Sequence, residues 1–161
     1  MDLPPDDTWA SYARTVVEIV RPDLGTVSVR AAQVGIVGVW PWPFDDRVHI
    51  LTAWDPGSAR PAPEVNRERQ ASLEQDLRPL AEGMWTAVGV DPMTGHREEG
   101  VAVSGVREAE VLTLGEDYDQ DAIFAWTPQV WAIVACDGSR RLPLGWSVAG
   151  PGAQEGVTTP D

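Results

Sequence analysis

The chain has 161 residues, 43 % of them apolar and 23 % charged, the proportions of a globular protein long enough to bury one core without disulfides or metals. Its 25 acids stand against 12 bases, every one an Arg, giving a formal net charge of −13. A field of that sign repels phosphate backbones, so nucleic acid is excluded as an expected partner. No run reaches the ~18 apolar residues of a membrane span, and the acidic N-terminus is unlike a signal peptide; the expectation is a cytoplasmic protein with no membrane partner. Cys136 is the single cysteine, which removes intrachain disulfides and thiolate zinc sites.

Residues 1–7 and 150–161 are rich in Gly, Pro and acid and read as a loose N-terminal tail and a flexible C-terminal tail around a single domain over 1–149. Thr8 to Arg14 reads as a short helix and the β-branched run Val16 to Val20 as a strand. Thr26 to Ala31 alternates as a second strand, whereas Val34 to Phe44 is apolar but broken by Gly and Pro, which suits an irregular crossing or an edge strand. Val48 to Trp54 is a compact strand stopped by the turn sequence Asp55-Pro-Gly-Ser.

Pro63 to Leu80 then forms the clearest helix, with Pro and Glu in its first turn and apolar positions Val65, Leu73, Leu77 and Leu80; Pro79 disturbs its end. Met84 to Val90, a turn at Asp91-Pro-Met-Thr-Gly, and Glu98 to Val103 read as a hairpin. A short helix follows over Ala109 to Leu114, ending at Gly115, and Ala122 to Trp126 and Val130 to Cys136 are two more strands. From Val48 to Trp126 this is the βαββαβ order of a ferredoxin-like α+β core, here with extra N-terminal strands and one C-terminal strand. The eight Trp are spread along the chain and predict a Trp-rich core.

Thr52-Ala-Trp-Asp-Pro-Gly-Ser, Asn66 on the next helix, Ala87-Val-Gly, Glu98-Glu-Gly and Gln120-Asp-Ala-Ile-Phe follow one another in an order that resembles a small bacterial domain-of-unknown-function family, number 3293. The resemblance covers about residues 48–126 and departs at Asp55, where Asn is usual. It implies no activity, substrate or cofactor.

Polar residues at predicted element ends are the candidate site. Thr52, Asp55, Asn66, Glu99 and Gln120 can converge on one pocket with Trp54 as a stacking wall, a composition suited to a small polar ligand. Asn66 and Gln120 are equally able to bond loop backbone and hold the turns. Of Glu98 and Glu99, adjacent on a strand, only one can face a given site; Glu99 is read as a general base or hard-metal ligand with His96 as a second ligand, set against a solvated hairpin turn. His49 reads as a packed histidine, and Cys136 as a buried strand-end thiol or, near Arg140-Arg141, a reactive one. No phosphate-binding loop or serine-nucleophile motif occurs. No metal or cofactor is therefore assigned.

Together these features describe an acidic protein, read first as a non-catalytic module binding a small polar ligand or a partner chain. On that first reading residues 108–121 are an acidic docking face for a basic partner; the alternatives are an enzyme using Glu99 as acid or base or as a metal ligand, and an immunity- or antitoxin-like inhibitor that captures a basic protein.

Overall fold

The fold was taken from a computed structural model, which describes residues 6–149; of the tails expected at 1–7 and 150–161, residues 1–5 and 150–161 lie outside the described residues, while residues 6 and 7 belong to a helix. Helix α1 (Asp6–Arg14) begins before the predicted Thr8 and leads into strands β1 (Val16–Arg21) and β2 (Gly25–Ala32). The chain then crosses without regular structure to β3 (Val48–Thr52) and a single 3₁₀ turn at Pro56–Ser58. Helix α2 (Pro63–Leu77), the hairpin β4 (Gly83–Val90) and β5 (Arg97–Ser104), helix α3 (Glu108–Asp117) and strands β6 (Ala122–Thr127), β7 (Val130–Ala135) and β8 (Arg141–Ala149) complete it.

The element order from β3 to β6 is the one read from the sequence, but the architecture is a closed barrel, not a ferredoxin-like α+β sandwich. Eight strands pair in the order β1-β2-β8-β7-β6-β3-β5-β4 and back to β1, every neighbour antiparallel. An open sheet would leave β4 and β6 as edges. Instead β4 continues onto β1 through Ile19↔Ala87 and Val17↔Gly89, and β6 onto β7 through Trp126↔Trp131, so the strands treated as flanking additions close the sheet on itself.

The closing strand β8 was not anticipated, because Pro143 and Gly145 break its pattern. Leu142, Leu144, Trp146 and Val148 nonetheless alternate along it. Residues 141–144 pair with β7 alone and 145–149 with β2 alone, so Pro143 sits where one side of the strand needs no donor.

Inside the barrel lie Val17, Ile19, Val27, Val29, Val48, Ile50, Ala102, Trp126 and Trp146, and outside it α2 and α3 bury Leu73, Leu77 and Val111 on Leu51, Val101, Val103 and Val134. Of the predicted helical stripe, Val65 and Leu80 are exposed; Asn66 and Gln70 take the buried positions beside Leu73 and Leu77. The helix ends at Leu77, two residues before Pro79, as proline requires.

The two ends of the barrel are closed differently. At one, the crossing 33–47 brings Trp40 to 4.3 Å from Trp126 and Phe44 to 4.8 Å from Trp85, ring centroid to ring centroid. At the other, α1 lays Trp9, Tyr12 and Ala13 against Ile133, Ala135 and Phe124. There the inward positions on β4 and β5 are Ala87, Gly89 and Gly100, which leave space. A side chain at Gly100 is barred, since its Cβ would lie 2.8 Å from the Leu51 carbonyl.

Candidate functional site

That space is a cavity of about 820 Å³ at the α1 end of the barrel, walled by Tyr12, Trp54 and Phe124 and edged by Asp55, Glu98 and Asp121. Its volume lies in the range of small-molecule sites.

Asp55 is set in place by its backbone. It adopts the left-handed conformation (φ 51°, ψ 59°) as β3 gives way to the 3₁₀ turn, a conformation that Asp and Asn tolerate better than other side chains. Buried Asn66, from the first turn of α2, grips it twice: Nδ2 donates to Asp55 Oδ1 at 3.0 Å, and Oδ1 accepts from the Asp55 amide at 2.9 Å. One turn on, buried Gln70 accepts from the Ala53 amide at 2.9 Å. The same loop is tied to the 118–121 loop, where Gln120 Nε2 donates to Trp54 O at 3.0 Å and the Gly57 amide to Asp119 O at 2.8 Å.

The other side of the mouth comes from the β4–β5 hairpin. His96 Nε2 hydrogen-bonds Glu98 Oε2 at 3.0 Å and lies 2.9 Å from Asp55 Oδ2. One ligand atom from each of Asp55, His96 and Glu98 falls within 4.8 Å of the others, the arrangement of a candidate metal centre. Burial, with the Asp55 charge adding to it and His96 opposing it, pushes the Glu98 carboxyl above the usual carboxylate range. Burial also raises the Tyr12 hydroxyl, helped by Asp121 and Glu98. Beside them Arg14 binds Asp91 through two bonds of 2.9 and 2.8 Å, fastening α1 to the hairpin; those bonds hold the Asp91 carboxyl well below its ordinary value.

The candidates named from sequence divide into three groups. Asp55, Trp54, Thr52 and Gln120 all line the cavity, but the Thr52 hydroxyl is spent on Glu99 O and the Trp54 amide, and the Gln120 amide on loop carbonyls. Asn66 stands behind Asp55. Glu99 points outward, half-exposed, with Arg67 at 3.7 Å; the cavity-facing carboxylate is Glu98. The alternation of Glu98 with Gly100 and Ala102, which face the interior, was the signal that separates the two. Tyr12 and Gln70 were missed: nothing in the local sequence relates α1 to a mouth built 40 to 110 residues later.

Elsewhere His49 is buried as expected, bonded to Glu108 at 3.0 Å, and Arg141 takes the second Glu108 oxygen at 2.7 Å. Part of the proposed acidic docking face is thus already neutralised.

Residues 51–123 match the family model described as "Protein of unknown function (DUF3293)". The resemblance read from the motifs is borne out over that stretch. The matched segment runs from β3 to the start of β6 and contains Asp55, Asn66, His96, Glu98 and Gln120, while α1 with Tyr12 and Arg14 lies before it. No curated protein and no solved structure matches the chain. Among the described residues, no helix is long and apolar enough to cross a membrane.

Proposed function

We propose that the α1 end of the barrel binds a small polar ligand rich in hydrogen-bond donors, such as an amine or a polyol. The observation that carries this reading is the cavity's chemistry: Asp55, Glu98 and Asp121 offer acceptors around the mouth, while the Arg14 guanidinium is already committed to Asp91. Tyr12, Trp54 and Phe124 supply apolar walls on which a ring or carbon skeleton can lie. Donors on the ligand would reach Asp55 Oδ2, a buried carboxylate oxygen that accepts no hydrogen bond within the protein.

The test is a thermal-shift screen of the purified protein against amines, amino acids, sugars and nucleosides, with carboxylic acids as the contrasting set. A ligand at ~100 times its Kd adds roughly 2.7 kcal/mol, a shift of several degrees. Donor-rich compounds are expected to give that shift in the native protein and to lose it in Gly89→Val, which fills the mouth without changing its charge. Stabilisation that survives in Gly89→Val, or that comes only from the acids, would sink the reading.

A second reading, acid–base chemistry on the bound ligand, is favoured by one observation: Glu98 holds its proton into a higher pH range than an ordinary carboxyl and faces the cavity beside His96. Once a ligand is identified, Glu98→Gln separates the two readings, since binding alone leaves the ligand chemically unchanged in both proteins.

A further inference from the structure

We propose that Asp55, His96 and Glu98 bind one divalent first-row transition ion, with its remaining coordination positions open to the cavity. The inference deepens the ligand-binding reading of the mouth and depends on it only for what fills those open positions.

The geometry comes first. Three ligands bound at about 2.1 Å and separated by angles of 90–109° stand about 3.0–3.4 Å apart. His96 Nε2 lies 2.9 Å from Asp55 Oδ2 and 3.0 Å from Glu98 Oε2, and all three atoms fall within 4.8 Å of one another. They arrive from the end of β3, the hairpin turn and the first residues of β5, three positions locked together by the β3–β5 and β4–β5 pairing.

An independent observation points to a cation. The Asp55 side chain is 7 % exposed, its Oδ1 is satisfied by Asn66, and its Oδ2, aimed into the cluster, accepts no hydrogen bond. A buried carboxylate oxygen left in that state is costly. The single proton on His96 Nε2 is directed to Glu98 and cannot serve both carboxylates. One ion carrying two positive charges satisfies both at once.

The ligand set selects the ion. One imidazole nitrogen and two carboxylates make a borderline site without thiolate, suited to Mn²⁺, Fe²⁺, Co²⁺ or Zn²⁺; Ca²⁺ seeks six to eight oxygens, and Mg²⁺ keeps to oxygen and water. Three protein ligands leave positions open, as catalytic and ligand-binding centres do and closed structural sites do not.

Outer partners are present as well. Asn66 orients Asp55. Arg60 Nη1 lies 3.2 Å from His96 Nδ1, and its Nε 3.6 Å from Asp55 Oδ2. A guanidinium only donates, so Nδ1 accepts and the imidazole proton sits on Nε2. An ion needs Nε2 bare, which moves the proton to Nδ1 and requires Arg60 to withdraw. Its side chain is 69 % exposed and free to do so. Arg60 therefore holds the site in its ion-free form and competes with the metal for Asp55.

Calorimetric titration of the full chain, stripped with EDTA and dialysed, with Mn²⁺ alone tests this. The expected result is one ion per chain, with affinity reduced about ten-fold or more in His96→Gln and in Glu98→Gln, and increased in Arg60→Gln. Mn²⁺ is also expected to broaden the NMR signals of Tyr12 and Thr94 at the mouth and to spare the Trp126 indole, a measurement on the native sequence that survives any variant failing to fold. Absence of saturable binding, an affinity unchanged from the native protein in both ligand variants, or broadening spread evenly over the molecule would overturn the proposal. Repeating the thermal-shift screen in EDTA separates the two claims: organic ligands that stabilise there while Mn²⁺ does not bind refute the metal site and leave the ligand site standing.

Discussion

The two ends of this barrel are built from the same strands and differ in what those strands point inward. At the 33–47 end, Trp126, Trp131 and Trp146 are fully buried and Trp40 and Phe44 fold in over them. At the α1 end the inward positions shrink to Ala87, Gly89 and Gly100, and carboxylates and an imidazole gather at the rim. Large aromatic area at one end supplies the burial that lets the other remain hollow and hold polar groups short of partners. Close aromatic packing and the proposed ligand site thereby fall at opposite ends of one sheet.

The largest effect expected from this division is at the solid end. Trp126→Ala removes a ring that contacts Trp40, Phe44, Trp131 and Trp146, and should cost about 3–5 kcal/mol in chemical denaturation. Gly89→Ala, the matching probe at the hollow end, should stay within about 1 kcal/mol of the native protein, because the added Cβ meets only Thr15 Cγ2, at 3.5 Å. Equal costs at the two positions would abolish the distinction.

Between these lies the scaffold behind the site. Asn66→Ala leaves the Asp55 amide and one carboxylate oxygen without their partner and should cost about 1–3 kcal/mol with no ligand present. If the same variant also loses the ligand-induced thermal shift, Asn66 acts by positioning Asp55. A stability loss with the ligand response intact would confine Asn66 to holding the turn.

Much of the barrel's local structure was legible in the chain, and its closure was not. Period-two alternation identifies β1 and β2, and the turn at Asp55-Pro-Gly-Ser marks the end of β3, because these are properties of neighbouring residues. Whether β4 meets β1 depends on pairing across some 70 residues, which no local pattern records. The site divides in the same way. Asp55, Asn66 and Gln120 stand out as polar groups at element ends, but Tyr12 joins them only through the fold. Glu98 and Glu99 are separated by which face of β5 looks inward, and that depends on the sheet being a barrel with α2 and α3 outside it.

A smaller effect concerns pH and a buried group on the outer face. His49, 2 % exposed on its side chain, faces Glu108 with Arg47 and Arg141 nearby, and burial lowers its pKa below the ordinary 6.5 despite the Glu108 hydrogen bond. A histidine harder to protonate folded than unfolded binds fewer protons in the native state, so stability is lost as pH falls from about 6.5 toward the depressed value. Denaturation midpoints followed from pH 7.5 to 5 should decline, and His49→Gln should flatten that decline. An unchanged slope would place the pH sensitivity elsewhere, with the rim of the cavity as the next place to look.

The least perturbing probe asks whether chemical reactivity is confined to the hollow end. Cys136 directly follows β7 on the outer layer, 4 % exposed, with its Sγ packed so closely on α3 that a Cβ at Gly115 would come within 2.5 Å of it. Burial, together with the charges of Glu116, Asp121 and Asp137, pushes the thiol up to about 12 from 9.0. Near pH 8 that leaves about a thousandth of the thiolate of an ordinary cysteine, and the buried sulfur cannot be approached. The expected result is no reaction with an aromatic disulfide reagent in the native protein and one thiol per chain after denaturation. Arg140 does not counter this, because its guanidinium lies over the Trp9 ring at 4.6 Å, and Arg141 is engaged by Glu108. Fast native labelling would mean that α3 opens readily from the barrel, and the outer layer would then no longer count as closely packed.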